Sequence, residues 1–230
     1  MAYPVNFSAD YAERRSRLSV FFRLILLIPL TVVLYVYSLI ATVAVFIAWL
    51  VIVLTARYPD SLFDFVAGYT RFVARYTGYG ALLRDAYPPF WGGEDAAYPI
   101  RLEFHGPLPE YNRLKTFFRV ILMIPLVVLR YAITVLLEIV AIAAWFILVF
   151  SGSMPRGLFD VMAMANSYIA RSDAYIFLLT ETYPPLEEQP AAGGGPQTAA
   201  IETAPAAPAP AEPAGDAPPD GRSAGPGAPR

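Results

Sequence analysis

Ionisable side chains beside long apolar runs are the residues of this chain best suited to chemistry. Arg23 and Arg119 each follow two phenylalanines, and Asp64 and Asp160 each follow "LF", with 96 residues between the members of each pair. At a membrane edge such groups bind lipid headgroups, form ion pairs or mark a transport path. The pattern predicts lipid-headgroup or interfacial ion-pair roles for these four residues and for four further arginines: Arg17, Arg75, Arg113 and Arg171.

The two acids allow two pairings each. Asp64 could pair with Arg75 or with Arg23. Asp160 could pair with Arg171 or with Arg119. Such a pair either marks a transport path or neutralises charges that must lie at the membrane edge. The second is the simpler interpretation, because it needs no further polar groups inside the membrane.

Other candidate residues lack partners for catalysis. Arg130 and Glu138 have no charged equivalents, because the positions 96 residues earlier hold Leu34 and Thr42. They could form a gate or lie in a solvated turn. His105 is the single histidine and cysteine is absent, so we expect neither a metal site nor a cofactor. No nucleophile elbow, phosphate-binding loop, zinc-protease helix or dinucleotide fingerprint is present, which predicts a protein that is not an enzyme.

Composition indicates the environment of the chain. Hydrophobic residues make up 57% of it and charged residues 16%, with a mean hydropathy of +0.47. In soluble domains the apolar fraction averages about 45–50% and the charged fraction about 25%. The excess lies in residues 18–56 and 114–152, each about twice the roughly 20 residues that cross a bilayer. This predicts an integral membrane protein. A net charge of −2 without a basic face gives no support to nucleic-acid binding.

The chain is a tandem duplication followed by a tail. "RLSVFFRLILLIPL" at residues 17–30 and "RLKTFFRVILMIPL" at residues 113–126 are identical at 10 of 14 positions. Matches at the same offset continue to a terminal "YPP", which defines units at residues 3–95 and 98–189. Residues 190–230 are rich in Pro, Ala and Gly and predict a disordered tail.

Each apolar run allows a single long helix, a helical hairpin that crosses twice, or a re-entrant pair. Arginines flank both ends of each run, and such residues accumulate on the cytoplasmic side of membranes. A hairpin places both flanks on that side and moves Arg130 and Glu138 to its outer turn, although no Gly, Asn or Pro marks the tip. This pattern therefore predicts a mainly α integral membrane protein with one membrane hairpin per unit and cytoplasmic termini.

Segments outside the runs are predicted to be cytoplasmic. "YPDSLFDFVAGYTRFVARYTGYG" and "MPRGLFDVMAMANSYIARSDAY" predict amphipathic helices, the first with Asp60 or Ser61 as its N-cap. Such a helix either lies at the interface on the inner leaflet or packs on the helices of the other hairpin. "YPVNFSA", "YPIRLEF" and "DAYIFLLTETYPP" read as short strands that could form a small sheet joining the units.

The motifs "FFR-x-I-L-x-I-P", the tryptophan in each second apolar half, "P-x-x-L-F-D" and "Y-P-P" occur in both units. With these motifs the chain resembles the bacterial membrane proteins classed as domain of unknown function 4389, here in tandem. The resemblance implies a multi-pass protein of the bacterial inner membrane without an established activity, and it brings no site residues.

Two functions remain open from the sequence. The first is a non-enzymatic scaffold or accessory component that interacts with the lipid bilayer, including anionic lipids, and with itself or another membrane protein. The second is a small transporter or channel built from the two duplicated hairpins, since internal repeats are common in transporters.

Overall fold

The computed structural model describes residues 3–186, and its elements follow the duplication. Each unit begins with a strand, continues into a long apolar helix and returns through a shorter helix. The first unit contains β1 (Val5–Ala9), α1 (Arg17–Phe21), α2 (Arg23–Thr55) and α3 (Asp60–Gly80). The second contains β2 (Ile100–Phe104), α4 (Arg113–Ser151) and α5 (Arg156–Ile176). The predicted tail lies outside the described residues.

In each apolar run a single helix continues through the predicted hairpin tip, so the predicted hairpins are wrong. The stretch "VLYVYSLIATV" holds no residue that breaks a helix, and the backbone hydrogen-bond ladder continues through it. Pro29 and Pro125 lie inside the helices without ending them. At a rise of about 1.5 Å per residue, α2 with 33 residues is about 50 Å long and α4 with 39 residues is about 58 Å long.

The long helices end at equivalent positions with left-handed backbone, Ala56 (φ 60°) and Gly152 (φ 73°). Glycine is the usual residue there because it has no Cβ. The next helices follow after Pro59 and Pro155, which are their N-caps. The predicted N-cap at Asp60 or Ser61 is therefore too late, because proline already holds the extended backbone that precedes the first turn.

The helices α3 and α5 form where amphipathic helices are predicted, but they are packed inside the protein. Each runs back antiparallel along the long helix of its own unit. The Tyr69 hydroxyl lies 2.9 Å from the Ser38 hydroxyl, and the Tyr76 hydroxyl lies 2.9 Å from that of Thr31. The apolar face of α3 is thus satisfied by protein, with Val66 and Phe72 fully buried.

The repeated "LL" terminates these helices. Leu82 (φ 61°) and Leu178 (φ 67°) have left-handed backbone, and the following leucine donates to the carbonyl five residues earlier, at 2.9 Å in both units. The predicted strand at "DAYIFLLTETYPP" is wrong for this reason. Its aromatic and apolar residues form the end of α5 and a buried helix-terminating turn.

The predicted sheet joining the units is present as a two-stranded antiparallel ribbon of β1 and β2. Each unit opens with "YP", at Tyr3 and at Tyr98, so before the long helices the offset between equivalent residues is 95. By that offset Phe7 pairs with its own equivalent, Leu102, and Val5 pairs with Phe104. A register that pairs a residue with its equivalent requires a local two-fold axis between the strands. The two units are therefore related by a pseudo-two-fold rotation.

The long helices obey the same rotation. Trp49 Nε1 donates to the Thr116 carbonyl at 3.0 Å, and its equivalent Trp145 donates to the Val20 carbonyl at 3.0 Å. The end of each long helix thus lies beside the start of the other, and α2 and α4 are antiparallel. The fold has three layers on one axis: the sheet contacts α3 and α5, and these contact the layer of α1, α2 and α4.

Candidate functional site

The largest candidate surface is an apolar face on the outer side of α2 and α4. Two helices among the described residues, α2 and α4, are long and apolar enough to cross a membrane, and most of their residues are exposed. Nine exposed apolar side chains follow α2 at intervals of three or four residues: Leu24, Ile28, Val32, Tyr35, Leu39, Val43, Phe46, Leu50 and Leu54. The residues 96 positions later are also apolar and exposed, from Val120 to Phe150.

Hydroxyl groups within these helices are satisfied by their own backbone. Thr31 and Thr42 donate to carbonyls four residues earlier at 2.8 Å, and Ser151 does so at 2.7 Å. A hydroxyl that donates internally needs no water as an acceptor. The exposed face of α2 and α4 is therefore an extended apolar surface whose few hydroxyl groups are bonded within their own helix.

Arg23 is a buried structural residue. It is 2% exposed, its Nη1 donates to the carbonyls of Tyr79 (2.9 Å) and Arg84 (2.6 Å), and its Nη2 lies 2.6 Å from Asp85 Oδ1. The guanidinium carbon lies 4.0 Å from the centre of the Tyr79 ring. Arg23 therefore joins the start of α2 to the end of α3 and is not free to bind a headgroup.

Arg119 has the equivalent position in the second unit, but the nearby acidic side chain makes a different contact. Its Nη1 donates to the Tyr175 carbonyl at 3.1 Å, and its guanidinium lies 4.4 Å from the Tyr175 ring centre. The equivalent of Asp85 is Glu181, whose Oε1 accepts from the Asn112 backbone N–H at 2.7 Å. No ion pair joins Arg119 to Glu181 within the described residues.

Asp85 and Glu181 are site residues that the sequence analysis missed. They lie 96 residues apart, but a comparison of identical letters passes over an aspartate that matches a glutamate. Both accept a backbone N–H from the N-cap residue of the first helix in their unit, Ser16 at 2.9 Å and Asn112 at 2.7 Å. A comparison by charge would have found them.

Arg75 and Arg171 are buried between α3 or α5 and the sheet. They are 2% and 4% exposed, and each faces a tyrosine that opens the opposite unit, Tyr98 at 5.2 Å and Tyr3 at 6.0 Å. Burial lowers the pKa of both guanidinium groups. These two arginines therefore hold the units together and do not reach a lipid surface.

Neither predicted pairing of Asp64 and Asp160 forms. Both acids are exposed in the first turns of α3 and α5, whereas Arg75 is three helical turns further on. Asp160 lies 3.9 Å from Arg156, with both side chains about half exposed. The acid that reaches Arg23 is Asp85, because it follows the end of α3 where the chain returns to the start of α2.

Arg130 and Glu138 lie in the middle of α4 and not in an outer turn. Arg130 makes a bidentate ion pair with Asp173 of α5, at 2.6 and 3.0 Å, and Asp173 is 3% exposed. Glu138 is exposed and lines a groove with Tyr76 and Thr77 of α3. These two charged groups near the middle of α4 therefore face toward the middle layer of the fold.

Exposed basic residues mark both ends of the long-helix layer. At one end lie Arg57, Arg113 and Lys115, where the Tyr111 N–H donates to the Ala56 carbonyl at 2.8 Å. At the other end lie Arg14 and Arg17, and Arg17 Nη2 donates to the Ser151 carbonyl at 3.1 Å. Of the predicted headgroup residues, Arg17 and Arg113 are the two arginines that solvent or lipid can reach.

Metal-ligating side chains are scattered over residues 3–186. No group of three or more His, Cys, Asp or Glu side chains could hold a metal ion in this part of the chain. Exposed His105 has its Nδ1 2.7 Å from the Pro4 carbonyl, a contact between the sheet and the start of the chain.

Comparison with known proteins confirms the resemblance and the duplication. The family model described as "Domain of unknown function (DUF4389)" matches residues 17–92 and again residues 113–187. Searches among curated proteins and among solved structures find no match. The matched ranges contain the long and short helices of each unit but not the strands β1 and β2.

Proposed function

We propose that this chain, which belongs to the DUF4389 family and carries two copies of its domain, is a non-enzymatic membrane protein that acts as a lipid-interacting scaffold or accessory component. One observation carries the proposal. The apolar face of α2 and α4 is exposed along the full length of both helices, and its nine positions recur in each unit.

The size of this face makes water an unfavourable surrounding. Nine side chains on α2 are about half exposed or more, from 45% for Leu50 to 76% for Tyr35. Moving a fully exposed Leu, Ile or Phe side chain out of water gains about 1.5–3 kcal/mol, so the α2 face alone would gain on the order of 10 kcal/mol. That gain is as large as the total stability of an ordinary domain, about 5–15 kcal/mol.

The exposed arginines give the face a polar border. Arg17 and Arg113 begin the two apolar stretches, and each is positioned where a lipid headgroup meets hydrocarbon. A basic residue near an anionic membrane surface contributes about 1 kcal/mol of attraction. Arg23, Arg75, Arg119 and Arg171 support this function indirectly, by holding the layers together under the face.

A small transporter is the second candidate. It is favoured by the antiparallel arrangement of α2 and α4 and by the Arg130–Asp173 pair near the middle of the long-helix layer. Inverted repeats with charged residues at mid-membrane are typical of transporters. This function requires α2 and α4 to cross the bilayer.

The first test is extraction of the full chain from bacterial membranes. We expect it to remain in the membrane pellet after alkaline carbonate and to be released by detergent. Aspartate at the equivalent positions Leu39 and Val135 should weaken membrane retention, whereas aspartate at exposed Asn6 of β1 should not. A wild-type chain that is soluble and monodisperse without detergent would refute the proposal.

The headgroup role has its own measurement within the same preparation. Adding anionic lipid to the detergent-solubilised protein should raise its melting temperature more than adding zwitterionic lipid. Replacing Arg17 and Arg113 by glutamine should remove that difference. An undiminished difference in the double variant would show that these arginines do not bind headgroups.

A further inference from the structure

We infer that α2 and α4 lie within one leaflet, parallel to the membrane plane, and that neither helix crosses the bilayer. The partner of the apolar face is then the acyl-chain region of a single leaflet. This inference rests on the proposed function, because it concerns how the same face meets lipid.

The first argument is length. The exposed apolar positions extend from Leu24 to Leu54, which are about 45 Å apart along the helix. A hydrocarbon core of about 30 Å would accommodate this stretch only at a tilt of about 48°, whereas transmembrane helices tilt by about 0–40°. A helix that lies in the plane of a leaflet has no such limit.

The second argument is the position of the sheet. The Trp49–Thr116 and Val20–Trp145 contacts are exchanged by the pseudo-two-fold axis, which therefore passes midway along the long helices, near Leu34. The same relation pairs Phe7 with Leu102 and places the centre of the sheet on that axis.

A spanning arrangement would consequently put the sheet at the level of the bilayer centre. The outward side of the ribbon includes exposed Asn6 and Glu103 and the partly exposed Arg101, which pairs with Asp10 at 2.8 Å. Charged groups and a two-stranded ribbon with open edges do not face hydrocarbon. When the axis is instead normal to the membrane, the sheet is the layer furthest from lipid.

The third argument is the distribution of positive charge. Exposed basic residues lie at both ends of the long-helix layer, with Arg57 and Arg113 at one end and Arg14 and Arg17 at the other. If α2 and α4 crossed the membrane, one of these groups would be on the outer face, against the usual bias. Helices within one leaflet keep both groups on the same side.

The thickness of the layers agrees with this placement. A helix with its side chains is about 10–12 Å across, and half of a hydrocarbon core is about 15 Å. The charged residues of α4 are compatible as well, since Arg130 bonds to Asp173 of α5 and Glu138 lines a groove with α3. Both reach the middle layer, on the headgroup side of the apolar face.

The test is a depth profile along the exposed stripe. The chain has no cysteine, so single cysteines at Leu24, Leu39 and Leu54 can carry a fluorophore that is quenched by lipids brominated at shallow or deep acyl positions. We expect the three depths to agree within about 5–10 Å. Cysteines at the equivalent exposed positions Val120, Val135 and Phe150 provide a matched series and should give the same result.

The outcomes separate this inference from the function beneath it. If Leu39 is deep while Leu24 and Leu54 are shallow, and the two ends differ in position by about 34 Å or more along the normal, the helices cross and the inference is wrong. The membrane function would then stand. If no position is quenched by brominated lipid, both the inference and the proposed function fail.

A second measurement avoids labels inside lipid. Ser61 and its equivalent Gly157 are exposed at opposite ends of the long-helix layer, and a Cβ at Gly157 meets no atom within 4 Å. In intact cells the two cysteines should react with an impermeant maleimide to the same extent as each other. In inside-out vesicles they should again match each other. Opposite labelling of the two positions would contradict embedding in one leaflet.

Discussion

Replacing Asp85 by asparagine should destabilise the protein much more than replacing Glu181 by glutamine, although the two acids are equivalent in the duplication. Asp85 lies 2.6 Å from the Nη2 of Arg23, a side chain that is 2% exposed. Glu181 accepts the Asn112 N–H at 2.7 Å and makes no ion pair with Arg119 within residues 3–186. The D85N change therefore leaves a buried cation without the acid that it contacts, whereas E181Q removes only the longer-range attraction between Glu181 and Arg119.

The magnitude follows from the burial of the pair. Removing one partner of a buried ion pair costs about 3–5 kcal/mol. The Asp85 side chain is 26% exposed, and Arg23 keeps two carbonyl acceptors, so we expect about 2–3 kcal/mol for D85N. E181Q retains a hydrogen-bond acceptor for Asn112 and should cost about 1 kcal/mol or less. For a domain of this size, D85N should lower the melting temperature by about 4–12 °C and E181Q by about 4 °C or less.

Thermal unfolding in one detergent, followed by tryptophan fluorescence, would measure both variants under the same conditions. Glu94→Gln is a suitable control, because Glu94 pairs with Arg71 at 2.7 Å but is 80% exposed and should have little effect. A melting temperature for E181Q that falls as far as that of D85N would refute the argument, since it would show that Arg119 depends equally on its acid.

The two units also supply templates for each other. Ala56→Gly should raise stability by about 0.5–1 kcal/mol, because Ala56 has a φ of 60° where the equivalent residue is Gly152. Gly152→Ala should lower stability by about 1–2 kcal/mol, since the new Cβ would lie 2.8 Å from the Nε of Arg17. Urea unfolding in detergent measures both variants. A shift of both stabilities in the same direction by the same amount would contradict the reasoning. Asp173→Thr alone should lower the free energy of unfolding by about 3–5 kcal/mol, because it leaves Arg130 without its ion-pair partner. Adding Arg130→Leu should restore most of that stability, because the two residues then match Leu34 and Thr77, their equivalents in the first unit. No recovery in the double variant would show that the ion pair is not the cause.

Local features of this fold could be predicted from the sequence because they depend on short-range periodicity. The helical character of α3 and α5 and the strands β1 and β2 are read from spacing within a few residues. The duplication is read from letters that recur at a constant offset. The turn at Leu178 is different, since an apolar run before a proline resembles a strand. The left-handed backbone at Leu178 is explained only by the structure, in which Leu178 and Leu179 are both buried.

The path of each apolar run could not be predicted, because arginine clusters constrain sidedness and not the number of crossings. Both flanks of α2 are basic, and a hairpin was the crossing arrangement that kept them on one side. Helix continuity through Leu34 depends on the absence of any residue that would break the ladder. The pairing of Arg23 with Asp85 was missed for another reason, since it joins residues 62 positions apart that only the return of α3 brings together.

The reciprocity of the contacts explains why two copies in one chain form a single surface. The indole N–H of Trp49 is satisfied by a carbonyl of the second unit, and that of Trp145 by a carbonyl of the first. The strand β1 likewise finds its hydrogen bonds in β2, and Tyr3 faces Arg171 across the units. Because a two-fold axis preserves one direction, both copies of the apolar stripe point the same way along it. An inverted pair of spans would instead need the axis to lie in the membrane plane, with the sheet in hydrocarbon. The duplication therefore doubles the area of one exposed apolar surface, while the units complete each other's hydrogen bonds above it.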